Sequence, residues 1–144
     1  MDISVKGEYA LRAVFELCSR GGGDPIKIAD IAAKQGIPQK FLELILSQLK
    51  QGGFLNSRRG ASGGYSLAKA PESITVGDII RHIEGPIGVA RRGDDNPRPA
   101  DSPFEDLWHE VDTTLSSIID RTTFADLLAR WKEKRTRQAV SWQI

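Results

Sequence analysis

The sequence predicts a mostly α-helical fold with one small β-ribbon, in which a first half of short helices leads into a long helix. Three observations carry this. Apolar residues recur at helical spacing in six separate stretches, glycine or proline punctuates those stretches, and a single pair of short segments reads as strands. The chain has 144 residues, 40% of them apolar and 27% charged, which suits one folded unit or a domain with an appendage. Global disorder is excluded by the same figures.

The first helix is expected from Val5 to Arg20, with Ala10, Ala13, Val14, Leu17 and Cys18 on one stripe and Gly21-Gly22-Gly23 ending it. Ile28 to Gln35 repeats the pattern with Ile28, Ile31 and Ala32, and Gly36 stops it. Pro38 is expected at the first position of a third helix, where its missing N–H costs nothing. Phe41, Leu42, Ile45, Leu46 and Leu49 form the inner face of that helix, and Gly52-Gly53 ends it. Two short helices joined by a tight Gly36-Ile37 turn, with a longer helix before them, outline a helix-turn-helix.

Phe54-Leu55-Asn56-Ser57-Arg58 and Tyr65-Ser66-Leu67 then read as paired strands around Arg59-Gly60-Ala61-Ser62-Gly63-Gly64, a wing whose tip carries two arginines. This glycine-rich tip lacks the Gly-Lys-Ser/Thr and the strand-to-helix turn that nucleotide-binding loops need. Thr75 with Asp78 forms a capping-box start for a fourth helix, which Gly85-Pro86 closes. Residues 86–103 hold four prolines and read as a flexible loop. Ser102-Pro103 begins the long helix, whose seam is Phe104, Leu107, Trp108, Val111, Leu115, Ile118 and Ile119. Thr122 or Thr123 caps a last helix through Trp131, followed by a solvated end at 132–137 and an apolar 139–144.

Charge is uneven. The formal total is +1, but residues 1–69 carry +4, residues 70–103 carry −2 and residues 104–144 carry −1. A basic first half on a near-neutral chain points mildly to a polyanion partner. The seam of the long helix exceeds the needs of a small winged domain, and its expected use is association with a second copy. Two symmetric copies would set two recognition helices ~34 Å apart, one turn of DNA. The alternative is that this helix packs on its own subunit alone.

With these elements in place, the chain resembles the winged-helix regulators of the IscR and CymR kind, the Rrf-two family. The matching residues are Val5-Lys6-Gly7-Glu8-Tyr9-Ala10-Leu11-Arg12-Ala13, Asp30-Ile31-Ala32, Phe41-Leu42-Glu43 and, most specifically, the wing from Arg58 to Leu67. Ile74-Thr75-Val76-Gly77-Asp78-Ile79-Ile80, Glu84-Gly85-Pro86-Ile87, Leu107-Trp108 and Thr122-Thr123-Phe124-Ala125-Asp126-Leu127 complete the match. The resemblance implies a homodimeric transcription regulator on a palindromic operator, with helix three in the major groove and a wing arginine in the minor groove. It divides the chain into a winged helix-turn-helix DNA-binding domain at 1–85, a loop at 86–103, dimerisation helices at 104–131 and a tail at 132–144. Gln39, Lys40 and Glu43 are the expected base readers, and Lys6, Arg58, Arg59 and Ser62 the expected minor-groove or phosphate contacts. Glutamine can pair two-pronged with adenine, glutamate accepts from cytosine N4, and arginine suits a narrow, negative minor groove.

Many of these regulators hold an iron–sulfur cluster on three cysteines in the loop after helix four. Here residues 89–101 contain neither cysteine nor histidine, Glu105 stands where some relatives have a histidine ligand, and Glu8 alone cannot hold a cluster without thiolates. No cofactor and no metal site is expected. The chain is closer to the cluster-free, CymR-like branch, which represses cysteine and sulfur metabolism genes with cysteine synthase as co-regulator. Trp142, Gln143 and Ile144 would then enter cysteine synthase; alternatively this tail packs on the dimer.

Cys18, the single cysteine, is either a redox switch or an inert core thiol. His82 and His109 lie in no metal-ligand spacing and beside no nucleophile motif, so no catalytic residue and no enzyme activity is expected. A rival class is an adaptor that uses the winged fold without DNA, and sensing of another small ligand stays open. No apolar run approaches the ~20 residues that span a bilayer, and Met1-Asp2-Ile3-Ser4 does not open a secretion signal. A soluble cytoplasmic protein is expected.

Overall fold

The computed structural model describes residues 2–89, 99 and 101–142, and within them it has six α-helices and one antiparallel ribbon. The order is α1 (Val5–Arg20), α2 (Ile28–Gln35), α3 (Gln39–Gln51), β1 (Leu55–Arg58), β2 (Gly64–Leu67), a 3-10 turn at Pro71–Ser73, α4 (Val76–Glu84), α5 (Pro103–Arg121) and α6 (Phe124–Trp142).

Local chemistry sets most of these boundaries. The Ser4 hydroxyl accepts from the Gly7 N–H at 3.0 Å and so caps α1. Ser4 itself donates its backbone N–H to the Glu84 carboxylate at 2.7 Å, and its hydroxyl bonds the same oxygen. Gly7 lies against that carboxylate so closely that a Cβ would collide with it, which ties the start of α1 to the end of α4. Gly36 ends α2 at φ 64°, and the Gly36 and Ile37 N–H groups both donate to the Ala32 carbonyl. That turn swings the chain directly into α3. Thr75 and Asp78 form the expected reciprocal capping box.

α1 is the central post. Its Ala10, Ala13, Val14 and Leu17 pack with Ile31 of α2, with Leu42, Ile45, Leu46 and Leu49 of α3, and with Ile74, Ile79 and Phe124. The ribbon pairs Leu55 with Leu67 and Arg58 with Gly64. It is stitched to the α1–α2 connection, because Ile26 and Tyr65 exchange backbone bonds of 2.8 and 2.9 Å.

The C-terminal helices attach at their junction. Val76 donates to the Thr122 carbonyl at 2.9 Å, and Phe124 donates to the Ile74 carbonyl at 3.0 Å. Phe124 is 1% exposed and anchors α6 in the core. α5 touches the domain through polar groups: Arg81 bonds Asp120 and Ser116, and the Val89 N–H donates to Asp112 at 2.6 Å.

Three expectations need correction. Pro38 is the N-cap of α3 and not its first helical residue, since Gln39 begins the helix. Phe54 lies just before β1, buried in the core. The last helix does not end at Trp131 in a solvated segment; it runs to Trp142. The charged run lacks glycine and proline, and it gains a Glu133–Arg137 pair one turn apart and an Arg135 guanidinium 4.7 Å above the Trp131 ring. The expected flexible loop falls largely on residues 90–98 and 100, and the tail's Gln143 and Ile144 lie with them outside the described residues.

Because Phe124 joins two parts of the chain, Phe124→Ala is expected to cost about 3–5 kcal/mol. Urea denaturation checks this; a loss below about 1 kcal/mol would show that α6 is not anchored by this ring.

Candidate nucleic-acid interface

One side of α3 is buried and the other is bare. Leu42, Ile45, Leu46 and Leu49 fill the core, while Gln39, Lys40, Glu43, Leu44, Ser47 and Lys50 are exposed along the opposite face. The first turn of α3 therefore presents Gln39 and Lys40 beside the partial positive charge of the helix N-terminus, with Glu43 on the same face one step beyond that turn.

A polar frame holds this turn at a fixed angle. Phe41 meets Tyr9 of α1 edge-on at 5.5 Å. Arg12 lies 5.4 Å from the Tyr9 ring and bonds the Gln35 carbonyl at the end of α2. The Glu16 carboxylate, 3% exposed as a residue, accepts from Gln35 at 2.8 Å and from Arg20 at 3.1 Å. A buried carboxylate is tolerable only when so partnered. Lys50 donates to Ser57 at 2.6 Å and fixes the far end of α3 to β1.

The wing tip follows from its glycines. Gly63 is buried, and a Cβ there would strike the backbone of residues 58–60; Gly64, at φ 146°, lies against the Ile26 carbonyl. With these two positions folded under, Arg58, Arg59 and Ser62 stand exposed. Neither arginine has an acidic partner among the described residues. Unpaired guanidiniums on a narrow ribbon are available to phosphate or to a groove.

The structure thus brings Gln39, Lys40 and Glu43 onto one exposed face of α3 and Arg58, Arg59 and Ser62 together on another element. Lys6 sits half-buried on the first turn of α1, and no hydrogen bond or ion pair joins it to either group. Two residues escaped the sequence reading. Ser47 continues the α3 face one turn beyond Glu43, and the four-residue spacing was the available signal. Lys27, the N-cap of α2, lines a recess of about 340 Å3 with Arg20, Ser62 and Gly63. Nothing in the sequence announces that neighbourhood, because only the Ile26–Tyr65 pairing creates it.

The proposed dimerisation residues are also in view. Phe104, Leu107, Trp108, Val111 and Ile118 are all exposed on α5, and Leu115 is half-buried among them. The single chain leaves part of this strip uncovered. Trp142 is 89% exposed at the end of α6.

Other candidates for chemistry do not assemble. Burial, with a smaller contribution from Glu72, pushes the Cys18 thiol up to about 12, so it stays protonated and poorly nucleophilic. His82 meets the Gln48 carbonyl at 2.7 Å and the Phe54 ring at 5.5 Å, which ties α4 to the end of α3. His109 is exposed on α5. Among the described residues no three His, Cys, Asp or Glu groups cluster as metal ligands. The donor set does not fit an iron–sulfur cluster, since the one thiol of the sequence is in the core of α1. Among the described residues no helix is long and apolar enough to cross a membrane.

Comparison with known proteins agrees with this architecture. The Rrf2 family pattern, described as an iron-dependent transcriptional regulator, matches residues 3–130. The HTH-type transcriptional regulator CymR of Bacillus subtilis is 38% identical over 127 residues, covering 88% of this chain and 89% of CymR. The solved structure of CymR, described as the global cysteine regulator of B. subtilis, superposes with a TM-score of 0.80 at 36% identity, covering 90% of this chain and 98% of that one. The T. potens IscR structure gives a TM-score of 0.79 at 34% identity, over 93% of this chain and 90% of that one.

Proposed function

The chain belongs to the Rrf2 family of transcriptional regulators, and from that premise we propose that it is a homodimeric, cluster-free repressor gripping a palindromic operator. The observation that carries this reading is the pairing of the exposed N-terminal half of α3 with a wing tip whose arginines have no acidic partner among the described residues. Gln39, Lys40 and Glu43 read base edges in the major groove. Arg58, Arg59 and Ser62 take the adjacent minor groove and phosphates, and Lys6 adds a backbone contact.

The dimer reading rests on α5. A soluble monomer rarely leaves a continuous apolar strip bare, and here Leu107, Val111, Leu115 and Ile118 line a groove of about 430 Å3. Two copies joined there form a closed pair, which suits a two-fold symmetric operator. In the finer reading, the regulated genes serve cysteine and sulfur metabolism. Cysteine synthase is then the co-regulator, engaged through Trp142, Gln143 and Ile144. Likeness to CymR supports it, as does a Trp142 that its own subunit leaves uncovered.

Three measurements test these statements. Affinity for promoter DNA is expected to fall by powers of ten between low and moderate salt, and Arg59→Ala to cost about 1–3 kcal/mol. Salt-insensitive binding, or none, would leave the adaptor reading instead. Val111→Glu places a charge in the α5 strip, so sedimentation should show monomers where the parent is dimeric; an unchanged dimer would move the interface elsewhere. Removing Ile144 should abolish capture by immobilised cysteine synthase, and retained affinity would refute the tail assignment.

A further inference from the structure

A recess of about 380 Å3 lies between the end of α1 and the root of the wing, apart from every residue assigned to DNA or to dimerisation. Its volume falls at the lower end of the ~300–1,000 Å3 typical of small-molecule sites. Leu17 and Cys18 of α1, Asp24 and Ile26 of the next connection, and Leu67 and Lys69 beyond the wing are among its walls.

Its walls carry groups of both signs. α2, α3 and α4 each close with a C-cap N–H that donates back to the last turn. Among the described residues, the Gly21 N–H that follows α1 makes no such bond. The end of α1 therefore offers carbonyl oxygens and the negative pole of the helix. Asp24, three residues beyond Gly21, lines the same recess, and both features call for an ammonium donor. Lys69 is the lone cation of the wall, 4.9 Å from the Phe54 ring and without an acidic partner among the described residues. It calls for a carboxylate. Leu17, Ile26 and Leu67 add apolar groups to the same wall.

We propose that this recess binds a small zwitterionic α-amino acid. Its ammonium meets the α1 terminus and Asp24, its carboxylate meets Lys69, and its side chain lies on Leu17 and Leu67. Binding there bears on the wing, because Ile26 of the wall is the residue that exchanges backbone bonds with Tyr65. Occupancy would fix the connection and the ribbon relative to each other, and so the height of the arginine tip over α3.

The test needs no DNA, so its outcome is separate from that of the operator proposal. The full chain is titrated calorimetrically with each proteinogenic amino acid in turn, then with the decarboxylated amine and the N-acetyl form of any that binds. Saturable binding of at least one small amino acid is expected, with both derivatives failing to bind. Asp24→Asn and Lys69→Met alter exposed positions, and each should weaken binding roughly tenfold or more while leaving the melting temperature near that of the parent. The proposal is overturned if no amino acid binds, or if the derivatives or either variant bind as tightly as the parent pair.

Discussion

Ala10, Ala13 and Val14 expose no surface, and the helix that carries them is touched by α2, α3, α4, α6 and the wing strand β2. Small side chains at the first two positions let neighbouring helices approach closely, and each neighbour adds its own apolar face to the same core. The exposed face of α3 and the wing tip both rest on this post. They hold their relative position because both are built on elements packed against α1. A single well-packed post thus fixes two exposed surfaces relative to each other.

Polar pins refine what the apolar packing leaves adjustable. Hydrophobic contact is non-directional, so it would tolerate rotation of α2 and α3 about α1. Glu16, Arg12 and Glu84 are more exacting: each bonds a specific group on another element, and two of them reach helix ends whose backbone groups would otherwise lack partners. The Ile26–Tyr65 pair plays the same part for the wing. Placing a recess beside that pair makes the wing sensitive to whatever occupies it.

α5 follows a different logic. Its inward contacts are an ion pair, a serine and a backbone-to-carboxylate bond, whereas its large apolar residues face outward. The inward face is thus taken up by polar contacts, and the outward apolar face is the one that the proposed dimer would cover.

The bounds of α1 and α2, the wing and the capping box at Thr75 were legible in the sequence, because glycines, caps and apolar spacing act within a few residues. The outward face of α3 was legible for the same reason: buried leucines and isoleucines determine which side remains. The length of α6 was not, since a run such as 132–137 is equally compatible with solvated coil, and the Trp131–Arg135 and Glu133–Arg137 pairs exist only once the helix forms. Nor was the burial of Glu16, whose partner Gln35 is nineteen positions away. The sharing of one recess by Lys27 and Ser62, and of another by Lys69 and Asp24, belongs to the same class. Periodicity and caps record short-range constraints that the chain obeys wherever it folds. Which distant charges become neighbours is settled by how helices dock, a long-range result that no local spacing encodes.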